Sequence, residues 1–173
     1  SAPNSIFEDI FQLIPGTILT LNSPIKNELS NLKTWWSLNS VVEKSFSNQI
    51  YSEHEAILIL EEALKKSIKG QSIADVPIGT FLSGGIDSSL ITSLLQSQSE
   101  RKVKTFTIGF EEESFNEAPY AKEVAKYLDT AHTEIYLTSK EVQNLIPNLN
   151  SIYSEPFADP SQIPTHLLCR EVS

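Results

Sequence analysis

Several things are scarce in this 173-residue sequence. It has one cysteine, Cys169, so no disulfide can form within the chain. That fits a reduced, cytoplasmic compartment. Basic residues are few: 13 Lys and Arg stand against 22 Asp and Glu, a formal net charge of −9. A nucleic-acid binder needs a basic footprint, so no nucleic-acid partner is expected. The same acidity offers no long-range attraction for an anionic ligand, so any phosphate site must work by local geometry and metal. No run approaches the roughly 18 consecutive apolar residues of a membrane span, so no membrane partner is expected either. The N-terminus shows no basic stretch followed by an apolar run, as a signal peptide would. Hydrophobic residues make up 40%, and adding the six glycines still leaves the apolar share just under that of an ordinary globular domain. The length suits one domain with a small appendage. The apolar shortfall suggests a trimmed or partly exposed piece, and the absence of an initial methionine leads us to expect a fragment, with Ser1 and Ala2 read as a cloning remnant.

What is present divides at about residue 52. In residues 1–52, Ser5 is expected to cap a short helix through Leu13. Pro15-Gly16 punctuates, and Thr17-Ile18-Leu19-Thr20-Leu21 reads as a strand. Asn22-Ser23-Pro24 is a turn signal, and Lys33-Thr34-Trp35-Trp36-Ser37-Leu38 reads as a partner strand. Such a hairpin is marginal alone and must pack on something. Residues 39–52 are polar and read as a linker. From residue 53 onward the pattern changes. Ser52 with Glu55 three residues on suggests a capped helix start, with Ile57, Leu60, Ala63, Leu64 and Ile68 at helical spacing and Gly70 at the end. Val76 to Leu82 reads as a buried strand, Asp87 to Gln98 as a helix with Leu90, Ile91, Leu94 and Leu95 inward, and Val103 to Phe110 as a strand. A helix from Glu117 to Leu128, a strand from Thr133 to Leu137, a helix from Thr138 or Ser139 toward Tyr153, a proline-punctuated loop and a last helix follow. The run Glu111-Glu112-Glu113 reads as solvated loop. Strands alternating with helices predict an α/β fold, a parallel sheet with helices on both faces and the N-terminal β-hairpin as an appendage.

The segment Ser83-Gly84-Gly85-Ile86-Asp87-Ser88 lies between a strand and a helix, where such sheets bind ligands. Two glycines let the backbone turn sharply and approach a ligand closely. The free N–H groups and dipole of the following helix bind phosphate without a basic residue. Ser83, Ser88 and Ser89 add hydroxyl donors. A carboxylate beside phosphate is repulsive unless a cation intervenes, so Asp87 predicts Mg²⁺. Two other phosphate loops are excluded. Gly79 and Gly84 have the Walker spacing, but its lysine would fall on Gly85, and the GxGxxG dinucleotide pattern is absent. A plainer alternative stands beside this one: Gly-Gly as a tight turn, with Asp87 and Ser88 merely capping a helix.

The loop resembles the SGGxDS signature of the PP-loop ATP pyrophosphatases. Val76-Pro77-Ile78-Gly79-Thr80-Phe81-Leu82 before it resembles the form found in glutamine-hydrolysing asparagine synthetases. Phe106-Thr107-Ile108-Gly109-Phe110, then Asn116-Glu117-Ala118-Pro119-Tyr120-Ala121 leading to Thr130-Ala131-His132-Thr133-Glu134, and Glu155-Pro156 through Asp159-Pro160-Ser161 to Pro164 follow in that family's order. Phe11-Gln12-Leu13-Ile14-Pro15-Gly16 with Trp36-Ser37-Leu38 resembles the tail of its glutaminase domain. The resemblance therefore implies a fragment: residues 1–52 as glutaminase tail and linker, and residues 53–173 as the first part of an adenine nucleotide alpha hydrolase-like synthetase domain. The glutaminase nucleophile and a second acidic loop, SGxGxDE, would lie elsewhere in the parent, and the fragment alone is expected to be inactive.

The resemblance implies a ligase whose substrates are ATP, aspartate and glutamine-derived ammonia, and leaves room for a homodimer of the parent. The aspartate carboxylate would be adenylated with loss of pyrophosphate, and ammonia would then displace AMP. Ser83, Gly84, Gly85, Ser88 and Ser89 are expected at the pyrophosphate and Asp87 at Mg²⁺, directly or through water. By resemblance, Leu82 and Ile108 would line the adenosine site, with Gly109 allowing close backbone approach. Leu82 and Ile108 also read as simple core residues, His132 as structural, and Glu117 as a first-turn acid suited to its helix dipole. Asp159 and Ser161 are candidates to face the substrate. Ile86 replaces the leucine often seen in the loop, and Ala131 stands where many relatives have a second histidine. These departures leave room for β-lactam-forming synthetases or cell-surface sugar amidotransferases. A nucleotide-binding module without turnover, and other PP-loop enzymes, are the remaining alternatives.

Overall fold

A computed structural model describes residues 2–21, 32–110, 116–156 and 158–172. The expected turn at 22–24 and the acidic run at 111–113 lie outside the described residues. The chain divides into two compact units, Ser1–Glu53 and His54–Ser173.

In the first unit, β1 (Thr17–Leu19) pairs antiparallel with β2 (Leu32–Thr34), Thr17 opposite Thr34 and Leu19 opposite Leu32. Gly16 precedes β1 at φ +77°, and the backbone of Trp36 occupies the place of a Cβ there. Trp35 and Trp36 both donate their N–H to the Gly16 carbonyl, at 2.9 and 3.2 Å, so the partner strand stops at Thr34 and not at Leu38. The helix expected from Ser5 does not form. Ser5 Oγ accepts the Phe7 N–H at 3.0 Å and donates to the Ile10 carbonyl at 2.7 Å, a local alternative to helical bonding. The segment read as a linker is instead largely α1 (Leu38–Ser47), because Ser37 provides an N-cap: its Oγ accepts the Ser40 N–H at 3.5 Å. No residue of α1 is buried.

The second unit carries the sheet. The chain enters it through α2 (Glu53–Gln71), whose inward set is narrower than its periodicity suggests. Ile68 is buried and Leu64 half-buried, while Ile57, Leu60 and Ala63 are exposed. The strand expected over 76–82 shortens to β3 (Gly79–Phe81), preceded by an exposed Val76 and by Pro77, which has no N–H for a ladder. Then follow α3 (Ile86–Ser97), β4 (Lys104–Phe110), α4 (Ala118–Tyr127) and β5 (Ala131–Leu137). The sheet order is β3-β4-β5 and both pairings are parallel, with Phe81 beside Phe106 and Phe110 beside Leu137. Thr138 and Glu141 form a capping box at the start of α5 (Ser139–Leu145). The single helix expected from there to Tyr153 is interrupted. Pro147 lies in a 3-10 turn (Ile146–Asn148), and a short α6 (Leu149–Ile152) follows. The last element is α7 (Gln162–Val172).

Side chains alternate across β4. Thr105, Thr107 and Gly109 are buried on one face, which meets α4. Ile108 and Phe110 point to the other, where they pack with Leu137, Leu145 and Leu167 from β5, α5 and α7. On the α4 side, Leu82 packs with Ala121, Val124 and Ala125. A third cluster joins α2 to α3 through Ile68, Leu94, Leu95 and Val103. Thr92 is buried there beside Thr80, while Leu90 and Ile91, expected inward, are exposed. Helices thus cover both faces of a parallel sheet, with a two-stranded hairpin in the N-terminal unit.

Candidate functional site

The chain leaves β3 at Phe81 and makes one more sheet-like bond, Leu82 N–H to the Phe106 carbonyl at 2.8 Å. It then turns sharply into α3. Gly84 sits at φ +79°, and a Cβ there would lie 2.7 Å from Tyr120 Cβ and 2.8 Å from Ala121 N. Both constraints require glycine: the left-handed backbone and the start of α4 pressed against it. Gly85 is different. It caps α3 with ordinary extended angles, and an added Cβ would meet only Ser83 Oγ at 3.3 Å. Its bare face is open space.

Serine hydroxyls hold the turn together. Ser83 Oγ and Ser88 Oγ lie 2.9 Å apart, and Ser88 Oγ accepts the Ser83 N–H at 3.2 Å. Ser83 Oγ accepts the Gly85 N–H at 3.3 Å, while Ser88 Oγ lies 3.3 Å from the Gly85 carbonyl. Both serines are half-buried and open onto a cleft of about 410 Å³. Phe81, Phe106, Ile108 and Phe110 are among its apolar lining residues, and Ser83, Ser88, Thr107, Glu117 and Thr165 are its polar ones. Pro164, Thr165 and Leu168 of α7 close another side. The cleft lies beyond the carboxyl end of β3, at the start of α3.

Of the residues singled out from sequence, Leu82, Ser83, Ser88 and Ile108 come together in the lining. Leu82 does so while being 1% exposed, so it serves core and cleft at once. Gly84, Gly85 and Asp87 belong to the loop and the first turn of α3, with Asp87 exposed. Ser89 is set apart. Its Oγ is buried without a partner among the described residues, and its residue borders a second groove, between α3 and α4. Gly109 is buried, and the Tyr136 ring fills the place of its Cβ, 2.5 Å from it at the closest. Its lack of a side chain makes room for that ring. His132 lies toward the start of β5, paired with Thr105. Its Nδ1 is 2.9 Å from Thr105 Oγ1, its Nε2 is buried without a partner among the described residues, and burial lowers its pKa. Asp159 opens the turn into α7: its carboxylate accepts the Ser161 N–H at 2.8 Å, and bonding to Ser161 holds its pKa below the usual range. It is not among the cleft residues.

Sequence reasoning missed two parts of the cleft. Glu117 was assigned only to its helix dipole, and Pro164, Thr165 and Leu168 were not assigned to any wall. The available signal for Glu117 was its place at the start of a helix that follows a strand.

Among the described residues, no group of three or more His, Cys, Asp or Glu side chains could hold a metal ion. The donors near the loop suit a different arrangement. Two exposed carboxylates stand near the loop: Asp87, next in sequence to Ser88, and Glu117 in the cleft lining. Mg²⁺ is commonly held that way, through one or two carboxylates, phosphate oxygens and water.

Fold and site define the class: a parallel α/β domain with a glycine loop and a cleft beyond the carboxyl end of β3. The family described as Asparagine synthase matches residues 59–173, and the chain belongs to that family. It is 34% identical over 169 residues to asparagine synthetase 1 (glutamine-hydrolyzing) of Bacillus subtilis, covering 98% of this chain and 25% of that protein. It is 38% identical over 105 residues to asparagine synthetase 2 (glutamine-hydrolyzing) of Oryza sativa subsp. japonica, covering 56% of this chain and 17% of the relative. The chain thus spans a quarter or less of the length of these relatives. No described helix is long and apolar enough to cross a membrane.

Proposed function

We propose that the cleft binds MgATP and forms the nucleotide site of an amide-forming ligase of the asparagine synthetase type. In the parent protein, the side-chain carboxylate of aspartate attacks the α-phosphorus of ATP. Pyrophosphate leaves, and glutamine-derived ammonia displaces AMP from the acyl-adenylate. The observation that carries this reading is the Ser83–Ser88 hydroxyl pair in the lining of a largely apolar cleft, beside the start of α3. Such a site offers apolar contacts to a base and hydroxyls to phosphate.

The chain's own groups have distinct tasks. Gly85, open on one side, lets phosphate oxygens approach the N–H groups of α3. Ser83 and Ser88 exchange hydrogen bonds with one another, and their hydroxyls turn toward the leaving pyrophosphate. Ile108 and Leu82 flank the adenosine. Asp87 holds Mg²⁺, which neutralises charge on the phosphates. Positioning supplies much of the effect, because the reaction joins two bound molecules. The reduced, cytoplasmic setting expected from composition fits a reaction on soluble metabolites.

Two measurements test this. The chain is expected to bind ATP more tightly with Mg²⁺ than in EDTA, as read by calorimetry, and Asp87→Ala to abolish that metal dependence. The full-length parent is expected to release AMP and pyrophosphate. ADP as the product would overturn the reading.

A further inference from the structure

Glu117 lines the cleft, and the reaction outlined above gives it no task. It stands at the N-cap of α4, yet its side chain makes no capping bond. Asn116 supplies one instead: its Oδ1 accepts the Ala118 N–H at 3.1 Å. Among the described residues, no hydrogen bond or ion pair takes up the Glu117 carboxylate, and it lines the same cleft as Ser83 and Ser88. Its position relative to the loop is held by packing. Gly84 lies against Tyr120 and Ala121 so closely that even a methyl group there would collide with them.

A carboxylate beside phosphate is repulsive unless a cation lies between the two. The described residues contain no cluster that could cage a metal by itself. The cation must therefore arrive with the nucleotide, keep phosphate and water ligands, and take only one or two carboxylates from the protein, which is the habit of Mg²⁺. We propose that Glu117 is a metal-positioning residue, sharing with Asp87 the Mg²⁺ carried by ATP. The assignment rests on the ATP reading above.

ATP affinity of the full chain, measured by calorimetry in Mg²⁺ and again in EDTA, tests it. The ratio of the two affinities is the readout, because a purely structural change would weaken both alike. Glu117→Gln is expected to lower that ratio about tenfold. Glu117→Asp, which keeps the charge, is expected to stay close to the unchanged protein. A ratio unaffected by Glu117→Gln overturns the assignment while leaving the ATP reading intact. So does a ratio that falls only when aspartate is added, which would give the carboxylate to an ammonium group. An unchanged protein that binds no ATP in Mg²⁺ overturns both.

Discussion

The two ends of the β3-β4-β5 sheet use the same side-chain chemistry for opposite purposes. At the carboxyl end, Ser83 and Ser88 bond to each other across 2.9 Å and face a cleft. Toward the other end, Thr105 is fully buried, with its Oγ1 2.9 Å from both Thr130 Oγ1 and His132 Nδ1. The first pair is half-buried and stands at the start of a helix, so its hydroxyls can be offered to a ligand. The Thr105 hydroxyl, by contrast, has its bonds made inside the protein. Chain direction explains the difference. In a parallel sheet, strands hand over to helices at one end, so free N–H groups gather there. A hydroxyl pair is therefore evidence of a site only when its place in the fold leaves it something to bind.

The largest test falls on the loop. Gly84→Ala forces a side chain into left-handed backbone and into the Tyr120–Ala121 backbone. It is expected to cost about 2–4 kcal/mol in urea denaturation. Gly85→Ala meets only Ser83 Oγ. It is expected to stay within about 1 kcal/mol of the unchanged protein while still weakening ATP binding. Equal destabilisation by the two changes would show that the loop is held by something other than the α4 contact.

Next comes a direct contrast of the two ends. Thr105→Val removes the hydroxyl that links Thr130 to His132, and is expected to lower stability by about 1–2 kcal/mol with ATP affinity unchanged. Ser88→Ala removes a partner of Ser83 and is expected to cost about 1 kcal/mol. It should also weaken ATP binding by about tenfold. A matching loss of affinity in Thr105→Val would collapse the distinction between binding end and structural end.

The smallest effect concerns pH. Burial disfavours the charged form of His132 and lowers its pKa from the ordinary 6.5. Glu134 opposes this, Lys122 adds to it, and a Thr105 bond opposes it. The unfolded chain therefore takes up the proton more readily than the folded one. The contribution of His132 is intact above pH 6.5 and is lost as the pH falls below that value. The melting temperature is expected to decline as the pH falls below 6.5, and His132→Asn to flatten that decline. Glu134 acts in a lower window. Its bond to Lys122, then its bond to Tyr136, lowers its pKa from 4.5, so its contribution fades only as the pH falls below 4.5.

Much of the second unit was legible before any coordinates. The glycine loop, β4, α4, β5 and the cap at Thr138 all lie close to where periodicity and cap chemistry put them. What was misread has local causes. Ser5 looked like a helix cap but bonds to Ile10 in a turn. Residues 39–52 looked like a linker because their apolar side chains are interspersed with polar ones, yet Ser37 starts a helix there. Pro147 splits what the pattern read as one helix. In α2 and α3, helical spacing overstated burial, because periodicity records an apolar face but not what covers it.

The sequence by itself determined the turn at Gly84, the start of α3 and the alternation that makes a parallel sheet. These follow from backbone sterics, capping and side-chain period, all of which act over a few residues. Only the tertiary structure decided that Ser88 faces the cleft while Ser89 turns toward α4, that Gly109 makes room for Tyr136, and that Glu117 and α7 complete the walls. Those outcomes depend on how segments distant in sequence pack together, and residue spacing alone carries no record of that packing.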